Sequence, residues 1–358
     1  MKKFYILLLC LTALFTSCNK EEYILQIFTG GWNNSNYTTE QIIARIEEVS
    51  EMVPVGKVII GWNLDKDPYI EIGNYLHSKN IEMILWMPVF SEIGHIEEAE
   101  QSVDIWGCKT ESYNLQEGED FTFYCPSSPL NIQAVKNIYE KHFSDCGFDG
   151  VFLDKIRTAS YVAGLSGVLS CGCERCTEFY EKHGFDVEQF RNAPQEQLEE
   201  FFNLKSEIIS ESVAELEDWF HSKDMIVGLD LFAPAIAQCV GQDYEALSRN
   251  ADFIKPMMYR ITDAPAGIGF EMRAFDPDFD NSVLTEEYLV EELQKAVSLS
   301  HCPVYPGLEV NYREDIARTS PEYVKECARA LRKAGLKGAV LAWDVMLAPD
   351  ENIAAFAE

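Results

Sequence analysis

The sequence predicts a (β/α)8 barrel whose loops after the third and fourth strands are enlarged. Eight short apolar runs alternate with helical segments along the 358-residue chain, which is the pattern of a barrel of parallel strands. The runs are wholly apolar, as in strands that helices cover on both faces. No glycine-rich phosphate loop of the dinucleotide type follows a run, which disfavours the runner-up, a doubly wound open sheet.

Most of the predicted strands end in a polar or aromatic residue, as expected where strands open onto a functional rim. In the fourth strand the apolar residues 151–153 end abruptly in Asp154. An unpaired carboxylate is expensive to bury, which places Asp154 at the mouth of the barrel. The alternative is that Asp154 caps the next helix or pairs with Lys155 or Arg157. The predicted strands are residues 23–28, 57–62, 81–89, 151–154, 225–231, 253–259, 303–310 and 338–343.

The helical segments are recognised by their caps and by the periodicity of their apolar side chains. Thr38 and Gln41 are spaced as a capping box. Ser320 and Pro321 are typical of a helix start, and Gly335 is typical of a helix end. The remaining helices are predicted through residues 69–76, 131–143, 194–221, 244–249 and 285–299. No low-complexity or Pro/Ser-rich linker divides the chain, so residues 23–358 are expected to form a single domain.

The first residues predict export. A basic start, an apolar run at residues 4–15 and small residues before Cys18 form the pattern of a secretory signal. The run is shorter than the ~18 residues of a membrane-spanning helix. The sequence Phe-Thr-Ser-Cys resembles a bacterial lipoprotein box, which implies a signal peptide at residues 1–17, a lipidated Cys18 and a short tether at residues 18–22. The following Asn-Lys-Glu-Glu resembles the signal that sends some lipoproteins to the outer face of the outer membrane.

The charge of the chain limits its partners. Removal of Lys2 and Lys3 with the signal peptide takes the formal net charge from −30 to −32. Nucleic acid and anionic lipid headgroups are therefore poor partners, and a membrane contact is expected through the lipid anchor only. A neutral substrate suits the chain better.

Carboxylates and flat aromatic side chains recur at the predicted strand tips. The acids are Asp154, Asp230, Glu309 and Asp344, and the aromatic residues are Trp32, Trp62, Trp86, Tyr259 and Trp343. Sugar rings present apolar C–H faces to aromatic rings and hydroxyls to carboxylates. Hydrolysis of a glycosidic bond needs two acids, one that protonates the leaving oxygen and one that attacks or activates water. The pattern predicts an oligo- or polysaccharide substrate, with filling of the barrel ends as the alternative for the tryptophans.

Several segments resemble bacterial glycoside hydrolases of TIM-barrel type. They are Cys-Pro-Ser at 125–127, FDGVFLD at 148–154, CGCERC at 171–176, and VGLDLFAP and the stretch to Arg260 that follows it. The resemblance covers residues 23–345. It implies a glycoside hydrolase in polysaccharide degradation and, by analogy with α-amylase- and α-galactosidase-like barrels, Asp154 as nucleophile or base and Asp230 as acid.

Two departures from the amylase pattern leave the acid open. This chain has Asp where those enzymes have Glu on strand five, and Glu where they have Asp on strand seven, so Glu309 can be the acid instead of Asp230. Lys255 and Arg157 can hold the nucleophile ionised, because a nearby cation favours a carboxylate. Lys255 and Asp344 join the aromatic residues as expected substrate-binding groups. Retaining and inverting chemistry are not distinguished.

No cofactor is expected, and no catalytic metal, because the six His residues show no metal-ligand pairing. Cys171, Cys173 and Cys176 can bind a structural zinc ion with Cys125 or Cys108 as fourth ligand. They can equally form a disulfide with one free thiol, or remain unbridged. Spacing without a second Cys pair is a weak zinc signature.

Two other functions compete with hydrolysis. The first is a carbohydrate-binding surface lipoprotein that keeps the barrel and lacks catalysis. The second is a barrel lyase or aldolase that uses Lys155 or Lys255 to form a Schiff base.

Overall fold

The computed structural model describes residues 22–110 and 121–357, and its centre is a closed barrel of eight parallel strands. Within these residues the strands are β1 (Tyr23–Phe28), β2 (Val55–Gly61), β3 (Glu82–Pro88), β4 (Gly150–Asp154), β5 (Ile226–Phe232), β6 (Phe253–Met257), β7 (Gly307–Glu309), β8 (Tyr312–Arg313), β9 (Ala317–Arg318) and β10 (Val340–Ala342). The barrel order is β1-β10-β7-β6-β5-β4-β3-β2, and β8 and β9 form a separate antiparallel pair.

Helices follow the barrel strands and cover them. In the described part of the chain they are α1 (Thr39–Met52), α2 (Lys66–Ser78), α3 (Pro129–His142), α4 (Gly164–Val168), α5 (Glu174–Lys182), α6 (Val187–Asn192), α7 (Leu198–His221), α8 (Pro234–Ala237), α9 (Tyr244–Leu247), α10 (Ile268–Phe275), α11 (Glu286–Leu299), α12 (Pro321–Lys333) and α13 (Asp350–Ala354). Thr38 and Gln41 form the predicted capping box at the start of α1.

The closure of the barrel confirms the predicted fold class. β1 pairs in parallel with both β2 and β10, so the barrel sheet has no open edge and the doubly wound alternative is wrong. The apolar strand residues are buried between the barrel interior and the surrounding helices. The enlarged loops and the single-domain organisation stay predictions.

Some element boundaries differ from the predicted ones, and the last two barrel strands are the shortest. The seventh strand was predicted from residue 303, but β7 begins at Gly307. Pro303 and Pro306 have no N–H to donate, so this segment cannot complete a hydrogen-bond ladder. Of the predicted 303–306 extension, Val304 forms only an isolated bridge to Ile254 of β6.

Several short elements were not predicted, among them α5, α10 and the β8–β9 pair. The N-caps of α5 and α10 are Cys173 and Gly267, and neither side chain forms a capping hydrogen bond. The sequence signal on which helix starts are recognised is therefore missing.

A second apolar cluster lies beside the barrel core. It joins residues around Cys125 in the segment after β3 to the helices between β4 and β5, including the aromatic residues Tyr180, Phe190 and Phe201.

Within residues 22–110 and 121–357, no helix has the length and apolar character needed to cross a membrane. The predicted signal peptide, Cys18 and nearly all of the tether lie outside the described residues.

Candidate active site

A cavity opens at the C-terminal ends of the barrel strands. Its lining residues come from β1, β3, β4, β5 and β6, from the segments after β3, β4, β6 and β10, and from Ile316 between β8 and β9. Asp154 and Asp230 line it together with the cations Lys155, Arg157 and Lys255. The cavity therefore holds two of the four predicted acids.

Asp154 and Asp230 occupy neighbouring positions on adjacent strands. Leu153 of β4 is in register with Leu229 of β5, so the next residue of each strand is one of the two aspartates. Neighbouring strands lie about 4.8 Å apart, and both side chains point into the same cavity. The barrel fold therefore brings together two acids that are far apart in the sequence.

Asp154 is held by two N–H donors. The indole Nε1–H of Trp86 donates to Oδ2 at 2.9 Å, and the backbone N–H of Lys155 donates to Oδ1 at 2.5 Å. Hydrogen bonds from two N–H groups fix the direction of the carboxyl group. Asp154 is thus oriented toward the cavity with 8% of its surface exposed.

Asp230 lies in a different environment. It is 2% exposed, and Lys255 Nζ donates to its Oδ2 at 3.0 Å, while Oδ1 has no hydrogen-bond partner among the described residues. Burial raises the pKa of Asp230 to about 7, and the charge of Asp154 acts in the same direction, although Lys255 opposes the rise. Asp230 therefore carries a proton in part of the molecules at neutral pH.

Two neutral polar groups of the cavity are buried without partners. The side-chain amide of Gln26 on β1 and the hydroxyl of Tyr259 have no hydrogen-bond partner within the described ranges. Both residues line the cavity. A buried polar group without a partner is costly, so these two are suited to bind the hydroxyls of a ligand.

Lys155 forms a buried ion pair with Glu92. Its Nζ lies 2.8 Å from Glu92 Oε1, with 5% and 2% of the two side chains exposed. The ammonium also lies over the rings of Trp62 and Phe121, at 4.6 and 4.2 Å from their centroids. Lys155 and Glu92 both have left-handed backbone conformations, with φ of 53° and 66°. Such strain persists at non-glycine residues only where surrounding contacts fix it, and it is concentrated at functional sites.

Glu309 is fully buried and is not among the residues that line the cavity. Oε1 accepts hydrogen bonds from Ile261 N and from both the backbone and the hydroxyl of Thr262, at 3.1, 2.8 and 2.7 Å. Oε2 accepts from Arg260 N at 3.0 Å and from the Tyr323 hydroxyl. All its acceptor capacity is used by the segment after β6 and by α12, and it does not line the cavity. Its contacts are those of an anchor for residues 260–262.

The other predicted binding residues are divided between the cavity and its support. Trp86, Lys255, Tyr259 and Trp343 line the cavity.

Trp32, Trp62 and Asp344 do not line it. Trp62 packs edge-on against Trp86 and lies 6.0 Å from the ring of Trp32. Asp344 accepts from Met346 N at 3.1 Å and from the Tyr37 hydroxyl at 3.4 Å, and burial raises its pKa to about 7. These three residues support the rim from outside the cavity.

Sequence reasoning missed Gln26, Glu92 and Phe28. Gln26 is the one polar residue of the run YILQIF in β1, and a polar residue inside a wholly apolar strand is a usable signal. Phe28 closes the same strand and lines the cavity. Glu92 lies in the loop after β3, where no periodic pattern marks it.

Comparison with known proteins gives a fold and no family. No family model matches the chain, and no curated protein matches it. Solved structures do match. The glycoside hydrolase domain of PgaB (BpsB) from Bordetella bronchiseptica has a TM-score of 0.63 at 14% identity, covering 91% of this chain and 94% of that one.

Two further structures are similar over nearly the whole chain. A class V chitinase from Pseudomonas fluorescens Pf-5 has a TM-score of 0.53 at 11% identity, with 94% of this chain and 98% of that chain covered. The alpha-L-fucosidase isoenzyme 2 from Paenibacillus thiaminolyticus has a TM-score of 0.55 at 10% identity, with 94% of this chain and 48% of that chain covered. At these identities the similarity establishes the barrel fold alone.

Proposed function

We propose that the chain is a glycoside hydrolase that cleaves a glycosidic bond of a neutral oligo- or polysaccharide. The observation that carries the proposal is the pairing of Asp154 and Asp230 at adjacent strand positions, in one cavity but in different environments. Two carboxyl groups that share one cavity but have different surroundings are the arrangement that this hydrolysis uses. The fold similarity to glycoside hydrolases supports the proposal.

Asp230 is assigned as the general acid. Its raised pKa of about 7 leaves it partly protonated at neutral pH, and its Oδ1 has no partner among the described residues. Asp154 is assigned as the nucleophile or base, because two N–H donors fix its orientation toward the cavity. Glu309 is not assigned a chemical role, since it does not line the cavity and its oxygens are occupied by hydrogen bonds from neighbouring residues.

The separation of the two carboxyl groups sets the stereochemical outcome, at ~6.5–9.5 Å in inverting enzymes and ~5–5.5 Å in retaining ones. In a retaining reaction Asp154 would form a covalent glycosyl intermediate. NMR of the first product formed from an anomerically pure substrate distinguishes the two outcomes.

The sugar ring would lie against the aromatic part of the lining. The aromatic residues that line the cavity include Trp86, Tyr259, Trp343 and Phe28. Rings of this kind pack against the C–H faces of sugars. Gln26 and Tyr259 would bind sugar hydroxyls through the polar groups that have no partner within the described residues.

The decisive variant is Asp154→Asn, tested by release of reducing sugar from a panel of neutral glycans. We expect loss of turnover with an unchanged fold. The matched control is Asp149→Asn, because Asp149 precedes β4 at the opposite end of the barrel, where it accepts from Met83 N. For a nucleophilic role, azide should rescue Asp154→Ala by forming a glycosyl azide. Undiminished turnover by Asp154→Asn rules out the assignment, and glycan binding without product from the wild type favours a binding protein.

We also propose that the chain is exported and anchored through a lipid on Cys18, on the strength of its first 18 residues. Metabolic labelling with a fatty acid, compared between the wild type and Cys18→Ser, tests this. Equal labelling of both proteins would refute the anchor.

A further inference from the structure

Four cysteines meet at one point outside the cavity. Cys125 comes from the segment after β3, and Cys171, Cys173 and Cys176 come from the turn before α5 and its first turn. Their sulfur atoms all lie within 4.8 Å of one another, with Cys125 Sγ 3.5 Å from Cys173 Sγ and 3.7 Å from Cys176 Sγ. Cys108, the other candidate for a fourth member, is exposed and not part of this group.

These distances fit four ligands around one metal ion. A zinc–sulfur bond of about 2.3 Å in a tetrahedron places neighbouring sulfur atoms about 3.8 Å apart. Disulfide sulfur atoms lie about 2.05 Å apart, and all nine cysteines of the described residues are free thiols. Three of the four ligands are buried and the fourth is partly buried, so the site is enclosed by protein.

The surroundings of the cluster suit negatively charged sulfur. Cys173 is the N-cap of α5 and its side chain makes no capping bond, which leaves the positive end of the helix dipole facing the thiolates. Ser127 Oγ lies 3.1 Å from Cys125 Sγ and 3.2 Å from Cys176 Sγ, and can donate to either sulfur. Arg175, which pairs with Glu100, adds a positive charge nearby.

The local backbone is shaped to bring the sulfurs together. Gly172 N–H donates to Val103 O at 2.8 Å, and a Cβ on Gly172 would lie 2.4 Å from Asp104 O. Only glycine therefore allows the Cys171–Cys173 turn to pack this closely against the segment after β3. Tyr180 of α5 donates its hydroxyl to Cys171 O at 3.0 Å and fixes the turn from the other side.

We propose that Cys125, Cys171, Cys173 and Cys176 bind one Zn²⁺ ion in a closed, structural tetrathiolate site. Four protein ligands leave no open position for substrate or water, which is the mark of a structural site. Thiolate ligands favour metals such as zinc, and Zn²⁺ has no redox chemistry that would require an electron donor or acceptor. The ion would join the segment after β3 to the helices between β4 and β5, and so stabilise the second apolar cluster. This site is independent of the proposed hydrolase activity.

The test is the metal content of the full chain purified without chelators, measured by inductively coupled plasma mass spectrometry. We expect about one zinc ion per chain in the wild type and in the control Cys108→Ser, and almost none in Cys125→Ser. Strong chelators should lower the melting temperature of the wild type, and added Zn²⁺ should restore it.

A second measurement uses only the wild type, so it tests the proposal even if Cys125→Ser fails to fold. Cobalt(II) added to the chelated wild type should give thiolate-to-metal charge-transfer bands and the intense visible bands of a tetrahedral site. Two disulfides among the four cysteines would overturn the proposal, if peptide mapping finds them in protein that carries no metal as purified, before any chelator is added. Stoichiometric iron in place of zinc would overturn the choice of metal.

Discussion

The pairing of Lys255 with Asp230 gives a prediction for the pH dependence of turnover. If Asp230 is the general acid, activity falls as pH rises through its pKa of about 7, because the proton that it donates is lost. Lys255→Met removes a positive charge 3.0 Å from Asp230 Oδ2. An ammonium favours the ionised carboxylate and lowers its pKa, so its removal must raise the pKa and move the descending limb to higher pH.

The size of the shift follows from Coulomb's law. At 3.0 Å and an effective dielectric constant of ~20, two unit charges interact by about 5.5 kcal/mol. At about 1.36 kcal/mol for each pKa unit, this sets an upper limit of about four pH units. Water that enters the space left by the ammonium reduces the effect. We expect a displacement of at least about one pH unit.

The assay is the initial rate of reducing-sugar release, measured across the pH range in which the fold is stable. The substrate must have a poor leaving group, because an activated aryl glycoside departs without general-acid help. The control is Lys205→Met, since Lys205 is also buried but donates to Val168 O and Cys239 O outside the cavity. A descending limb that stays in place in Lys255→Met would show that Asp230 is not the acid.

Two further substitutions test the same physical account. Gly307→Ala would place a Cβ 2.4 Å from Cε of Lys255 and displace the lysine side chain. The descending limb of the pH profile should then move in the same direction as in Lys255→Met, by a smaller amount. An unchanged profile would contradict the packing argument. Asp344→Asn should leave turnover unchanged, because Asp344 lies outside the cavity, and should stabilise the fold above pH 7. In the wild type the penalty for the buried charge is absent below pH 3.8, the ordinary pKa of Asp, and grows as pH rises to about 7. Urea unfolding should therefore show that the variant gains up to about 4 kcal/mol in free energy of unfolding above pH 7 and nothing in acid. An equal change at both pH values would refute this origin.

The barrel was predictable from sequence because its signal is local and repeated. Wholly apolar runs such as that before Asp154 specify strands covered on both faces, and caps such as Thr38 mark the helices between them. Strand order then follows from chain order in a barrel, which brings residues 154 and 230 together without any long-range information.

The direction of a side chain at a strand tip was not predictable in the same way. Glu309 lies at the end of β7, one residue before the predicted strand end, but residues 260–262 turn their N–H groups toward it and occupy its oxygens. That turn depends on the backbone course after β6, which no periodicity encodes. For the same reason the partner of Lys155 could not be identified: Glu92 lies 63 residues earlier in an irregular loop.

The arrangement of buried charge bears on the class of sugar. Three cations line the cavity. Lys155 is paired with Glu92, which does not line it, and Lys255 donates to Asp230. Arg157 is buried against the rings of Phe123 and Phe232 and donates to Thr158 O.

Arg157 also interacts electrostatically with two buried acids. It lowers the pKa of Glu271, which burial otherwise raises, and it acts in the same sense on Asp230. Asp230 is uncharged in the form that donates the proton, so it does not compensate the charge of Lys255 in that state. The groups that lack partners within the described residues, the Gln26 amide and the Tyr259 hydroxyl, are neutral and suited to hydroxyls. These two groups and the net charge of −30 both favour an uncharged glycan as the substrate of the proposed hydrolase.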